Sequence, residues 1–205
     1  MNSNFKEWLS VMKKNRKKLY ISLFFLLVSL TLYGLSGDYV TEKIDTAYSH
    51  DLILDNFGPY NFGFIFVWLF ILVILMVLFY PLIFKPLELH YVLNMFSFFI
   101  IMRSGFVILT HLRPPPDSIQ GIFPHYFNFL IFSNDLFFSG HTGLPFLGFL
   151  VFRKHHKWLG YFMLASSVIL GMSALLMHVH YSIDVASAYF ITYCIYLIGN
   201  RYFKI

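Results

Sequence analysis

Six stretches of this chain are apolar for long enough to lie in a bilayer, and they leave little sequence for anything else. A helix that crosses the hydrocarbon core needs about 20 mostly apolar residues. Residues 19–35, 62–84, 89–111, 137–152, 158–177 and 181–198 are runs of this kind, the fourth shorter than the others. The expected fold is therefore all-α: a polytopic membrane protein, a bundle of six transmembrane helices joined mainly by short loops. It forms a single domain over residues 1–205, with residues 1–18 as a basic cytoplasmic segment. Charge bears this out, because only 12% of the residues are charged, against about 25% in a soluble domain. Such a chain cannot coat a water-soluble globule, which excludes a soluble enzyme, a disordered tail and a disulfide scaffold. The single cysteine, Cys194, lies in an apolar run.

The formal net charge of +5 does not point to nucleic acid, because the basic residues share no solvated face. Lys6, Lys13, Lys14, Arg16, Lys17 and Lys18 precede the first run. Lys85, Arg153, Lys154, Lys157, Arg201 and Lys204 fall in connections or tails on the same side of a six-span map. Only Lys43 and Arg113 fall on the other side, with Arg103 inside a run, and the acidic residues show the opposite bias. The positive-inside rule then puts both termini in the cytoplasm. The first run is expected to be an uncleaved anchor, because it exceeds a signal-peptide core and no small-residue cleavage site follows. The connection over residues 112–136 contains Arg113-Pro114-Pro115-Pro116, which forbids continued helix. Its aromatic residues 123–132 suit the headgroup level.

Polar groups in or beside an apolar run are costly, so they imply a partner or a task. On the six-span map Arg103, His111, Arg113, Ser139, His141, Thr142, His178, His180 and Asp184 all converge on one membrane face, away from the cytoplasm. His180 and Asp184 are four residues apart, which puts them on one side of a helix. A carboxylate there fixes the imidazole tautomer and frees the other nitrogen as nucleophile or base; the alternative is a buried pair that merely satisfies two polar groups. Ser139-Gly140-His141-Thr142 combines a permissive glycine with a helix start whose amides attract anions. It reads as a phosphate cradle beside a histidine, or as an ordinary capped helix. Arg103 has the forked donors that match phosphate oxygens, and Asp135 or Asp184 is its alternative partner. Arg113 suits lipid headgroups. Joint zinc ligation by His178, His180, Asp184 and His141 would need a loop at 178–180. His155 and His156, flanked by cations, read as solvated, and His50, His90 and His125 have no supporting neighbours.

These residues resemble a known family. The segment from Asn134 and Asp135 through Ser139-Gly140-His141-Thr142 is similar to the third motif of the sphingomyelin synthases, in which an acidic residue precedes S-G-H-T at this spacing. His180-Tyr181-Ser182-Ile183-Asp184-Val185 is similar to their fourth motif, and Arg103 through Thr110 and Pro114 resembles the second. Asp51 to Asp55 sits where the first would fall, and the resemblance spans about residues 50–200. The wider clan is the type-2 phosphatidic acid phosphatases. Their lysine seven residues before Arg-Pro is replaced here by Phe106, and Ala174 follows Ser173 where they carry arginine.

The resemblance implies an integral-membrane lipid phosphotransferase or phosphatase that works through a phosphohistidine. His180 is the implied nucleophile, Asp184 its orienting carboxylate and His141 the general acid and base. Arg103, Ser139, Gly140 and Arg113 are the implied phosphate-binding residues, supported by Asp135, Thr142 and Tyr181. The implied partners are a phospholipid donor and an acceptor that is water or a lipid alcohol of diacylglycerol or ceramide type, with no metal, no cofactor and no nucleic acid. The competing class is a transporter or proton-coupled carrier using the same Arg, His and Asp cluster, although such groups usually lie nearer the midplane and within internal repeats.

Overall fold

The computed structural model describes residues 3–120, 132 and 134–203 of the chain. His125, the aromatic residues 123–131 and Lys204 lie outside the described residues. Seven α-helices follow one another: α1 (Ser3–Lys14), α2 (Arg16–Asp38), α3 (Gly63–Phe84), α4 (Leu89–Leu109), α5 (Gly140–Phe152), α6 (Lys157–Leu176) and α7 (Ser182–Tyr202). A π-helical turn, Tyr39–Lys43, extends α2. Five of these helical stretches, Arg16–Lys43, Gly63–Phe84, Leu89–Leu109, Lys157–Leu176 and Ser182–Tyr202, are long and apolar enough to cross a membrane. This is the architecture of a multi-pass membrane protein. The outer surfaces of α2 and α3 carry exposed Leu23, Phe24, Leu27, Phe64, Trp68, Phe79 and Ile83, as expected where the surrounding solvent is hydrocarbon.

The fourth apolar run departs from expectation. Helix starts only at Gly140, so α5 has 13 residues and spans about 20 Å at 1.5 Å per residue, short of the roughly 30 Å hydrocarbon core. Residues 134–139 approach it without helix, so the Ser-Gly-His-Thr turn opens inside the bundle and not at its rim. The N-terminal segment also differs: α1 makes a helix of the first basic residues. It lies against the end of α3, where the Trp8 indole donates to Leu82 O at 2.8 Å.

Small residues set the helix contacts. The buried positions of α2 are Ser22, Ser29, Ser36 and Gly37, the three serines at heptad spacing on the side packed against α4. Small side chains allow close backbone approach, which is what drives helix association in lipid. The main core lies among α4, α5, α6 and α7 around Met95, Phe99, Phe138, Leu147, Leu150, Met163 and Ile195, all almost fully buried. At the same end of the bundle as Trp8 and the basic N-terminal segment, His156 is buried and not solvated as expected; at the α5–α6 turn its Nε2 meets Glu88 at 3.0 Å and its Nδ1 meets Tyr80 at 3.2 Å. That cluster ties α3, α4 and the α5–α6 turn together, which explains why this histidine is not free in water.

The connections at the far ends of α4 and α6 are stitched to one another by backbone bonds. Ala47 N–H donates to His111 O and Arg113 N–H to Ala47 O, both at 3.1 Å, and Ile119 N–H donates to Met177 O at 2.8 Å. They roof the starts of α5 and α7.

Candidate active site

α6 ends in a tight reversal. His178 N–H bonds to Leu175 O and Val179 N–H to Ala174 O, while His178 itself sits at φ 54°, in the left-handed region. This closure is usually made by glycine. The sharp turn brings the chain back within four residues, so that His180 stands over the first turn of α7. There Asp184 is fully buried and His180 is 5% exposed.

The Asp184 carboxylate has two contacts. Oδ2 accepts the Tyr181 N–H at 2.9 Å, capping the helix, and lies 3.5 Å from His180 Nδ1. That is an ion-pair distance and slightly long for a hydrogen bond. With Nδ1 turned to Asp184, Nε2 of His180 is the ring nitrogen on the far side from the carboxylate.

The start of α5 is locked to the same place, because Ser139 N–H donates to Asp184 O at 3.1 Å. His141 therefore faces His180 with ring centroids 6.4 Å apart. Phe66 and Phe70 of α3 hold the His141 ring between them, each with its centroid 4.0 Å away. Neither phenylalanine stands out in a helix as apolar as α3; only their four-residue spacing hints at a shared face.

Ser139 is buried and accepts a bond from the Thr142 hydroxyl at 3.3 Å, so its side chain does not cap α5. The amides of Gly140, His141 and Thr142 occupy the first turn, where a helix leaves its N–H groups without intrahelical acceptors. The first turn of a helix attracts anions for this reason.

Arg103 takes the carboxylate partner that the sequence offers as its alternative. Its Nη1 donates to both carboxylate oxygens of Asp135 at 2.7 and 2.6 Å, Nη2 to Asp135 O at 3.2 Å and Nε to Phe138 O at 2.8 Å. Asp135 also accepts the Tyr33 hydroxyl at 2.6 Å. The guanidinium thus meets its paired carboxylate and not an open phosphate site, and it braces residues 135–138 beneath α5. A Cβ on Gly140 would stand 3.0 Å from Arg103 Nε. Because four hydrogen bonds hold that guanidinium, it cannot easily give way. Gly140→Ala is expected to lower kcat by about 10²-fold, the cost of misplacing a reacting group by a fraction of an ångström to an ångström, and, because it pushes on the guanidinium that braces residues 135–138, to lower the thermal midpoint as well; kinetics at saturating lipid beside thermal unfolding checks this.

Arg113 lies exposed at the rim, stacked over the Tyr48 ring at 3.7 Å. Tyr181, 2% exposed, donates its hydroxyl to Arg113 O at 2.9 Å and accepts the Ser49 N–H at 3.1 Å. Burial pushes its phenol pKa up, so it stays a donor across the physiological range. Next to it a cavity of about 750 Å³ opens, lined among others by Tyr48, Asp51, Phe57, Asp117, His178 and Tyr181. His141 and His180 are not on its wall.

Asp51 is the residue that sequence alone undervalues. Its Oδ2 accepts the Ser182 N–H at 2.6 Å and hydroxyl at 2.8 Å, and its Oδ1 accepts the Ile53 and Leu54 amides at 2.9 and 3.2 Å. It fastens the 49–57 loop to the first residue of α7, two positions before Asp184. Burial raises its pKa, but these bonds, those of Ser182 first, lower it further, leaving it below the ordinary 3.8. A depressed carboxylate contributes stability that is complete above its unfolded-state value and is lost as the pH falls through the folded one. Asp51→Asn is therefore expected to cost about 1–3 kcal/mol at neutral pH, a cost that shrinks as the pH falls below 3.8; thermal unfolding followed from pH 7 down to pH 2 measures both.

The metal reading loses its geometry. His178 Nδ1 turns to Asp117 at 3.0 Å while His180 turns to Asp184, and among the described residues no group of three His, Cys, Asp or Glu is placed to hold a metal ion.

No curated protein and no solved structure matches the chain. Residues 133–201, which include Ser139, His141, His180 and Asp184, match the family described as PAP2 superfamily C-terminal.

Proposed function

We propose that this protein is an integral-membrane enzyme that transfers the phosphoryl or phospho-headgroup of a phospholipid to a lipid alcohol or to water. The matched segment supports a lipid phosphatase or phosphotransferase of the PAP2 type. The observation that carries the finer reading is the approach of His141 and His180, 6.4 Å apart, with Asp184 behind His180 at 3.5 Å.

In this reading His180 Nε2 attacks phosphorus while Asp184 stabilises the charge that grows on the ring. The bond to the departing lipid oxygen breaks, and that oxygen takes a proton from His141. His141 then removes a proton from the incoming hydroxyl as it attacks the phosphohistidine, which restores both histidines. Amides of the α5 first turn stabilise the charge on the non-bridging oxygens, where such reactions gain most of their rate. Arg113 is positioned at the rim to meet a headgroup phosphate, and Arg103 with Asp135 supports the cradle from below. Whether the enzyme is a hydrolase or a transferase depends on which hydroxyl reaches the intermediate. The distribution of Lys and Arg supports cytoplasmic termini and a site on the opposite, non-cytoplasmic face.

The test is to incubate purified protein with phospholipids labelled in the phosphate, with and without diacylglycerol or ceramide, and to separate the products. Label moving to the added alcohol or to water is expected. A folded protein that transports labelled lipid or solute but breaks no phosphorus–oxygen bond would instead be the carrier.

A further inference from the structure

The end of the bundle away from His180 builds a surface of its own. At about 100° per residue along α1, Trp8, Leu9 and Met12 share one stripe and Lys6, Ser10, Lys13 and Lys14 another. The first stripe is half-buried and anchored through Trp8 to Leu82, whereas the three lysines are exposed. Arg16, Lys17 and Lys18 continue the exposed basic row into α2, and Glu7 is the single acidic residue among these positions.

Beside the row lies a cavity of about 190 Å³ between α2, α4 and α7, lined by Lys18, Ile21, His90, Asn94, Tyr202 and Phe203. No carboxylate is among these residues. Oδ1 of Asn94 is buried with no hydrogen-bond partner; a headgroup hydroxyl would satisfy it, and the amide turned over would offer its N–H to a phosphate oxygen. Asp184 and Tyr202 stand near opposite ends of α7, about 27 Å apart at 1.5 Å per residue, so this cavity is separate from the histidine pair.

We propose that this end binds an anionic phospholipid of the leaflet in which it sits, with the phosphate at Lys18 and His90 in the cavity and α1 lying in the interface. Three features fit that one occupant: a half-buried apolar stripe at the level of the α3 end, a row of exposed cations above it, and a concave polar spot between helices. Each cation close to an anionic membrane surface strengthens association roughly fivefold. The assignment does not depend on the reaction at the other end.

The experiment titrates the full-length protein in mixed micelles with phosphatidylglycerol or with phosphatidylcholine and counts bound lipid by native mass spectrometry. A preference for phosphatidylglycerol of at least about tenfold is expected from two or more cations in contact. Lys17→Gln with Lys18→Gln should reduce it at least about fivefold, and Lys154→Gln with Lys157→Gln, exposed cations in and after the α5–α6 turn, should not. Both pairs are exposed, so folding is not at stake. Equal binding of the two lipids, or a preference untouched by the Lys17 and Lys18 changes, overturns the proposal. Displacement of phosphatidylglycerol by inorganic phosphate alone also overturns it, in favour of a small-anion site; persistence of the bound lipid supports it.

Discussion

Replacing His180 by glutamine is expected to lower turnover by at least about 10³-fold while the bundle stays folded. The two halves of that expectation have separate physical grounds. Among the described residues His180 Nδ1 makes no hydrogen bond, its contact being the 3.5 Å approach to Asp184, so the fold loses little when the imidazole is removed. Glutamine fills a similar volume, which avoids a cavity in a site that is 5% exposed. In the proposed reaction, however, the nitrogen that bonds to phosphorus is lost. Asp184→Asn separates the roles further. An amide oxygen still accepts the Tyr181 N–H and keeps the helix cap, but it no longer selects the His180 tautomer or stabilises the imidazolium, a loss of about 10⁴-fold in a comparable arrangement. Steady-state rates beside thermal unfolding curves check both variants.

The second large effect falls on stability. Arg103→Ala is expected to destabilise the protein by about 3–5 kcal/mol, because it leaves the Asp135 carboxylate buried without its counter-charge. The side chains of Arg103 and Asp135 are 7% and 8% exposed, so water cannot replace the partner. Removing both, as Arg103→Ala with Asp135→Ala, is expected to be milder than the sum of the single changes, since no isolated charge remains. Arg103→Lys should not restore the parent stability: an ammonium cannot serve the carboxylate, Asp135 O and Phe138 O together as the guanidinium fork does. A double-mutant cycle on unfolding midpoints in detergent gives the coupling. Additive losses would mean that the pair is not the brace described above.

The apolar runs were legible because hydrocarbon allows few interruptions, and five of them are helices of spanning length. The fourth misled at its start: Phe137 and Phe138 are as apolar as any helix residue, yet they belong to the non-helical approach held by Arg103. His180, Asp184 and His141 could be picked out because polar side chains are rare in such surroundings. Arg103 was ambiguous for a definite reason, since a carboxylate partner and a phosphate ask for the same fork, and only the fold shows Asp135 occupying it. Asp51 was harder, because an acid in a polar loop looks solvated until the loop is seen folded onto Ser182. Phe66 and Phe70 carry no signal beyond their four-residue spacing in a helix as apolar as α3. The amphipathic character of α1 was hidden by its lysines, which read first as a charge cluster.

The most direct test of the two-histidine account is to trap the covalent intermediate. Purified protein mixed briefly with phosphate-labelled phospholipid, quenched in alkali and digested for mass spectrometry, is expected to carry phosphorus on the His180 peptide, with none in His180→Gln. Active protein that never carries label there, or a His180→Gln variant that turns over at the parent rate, would contradict it.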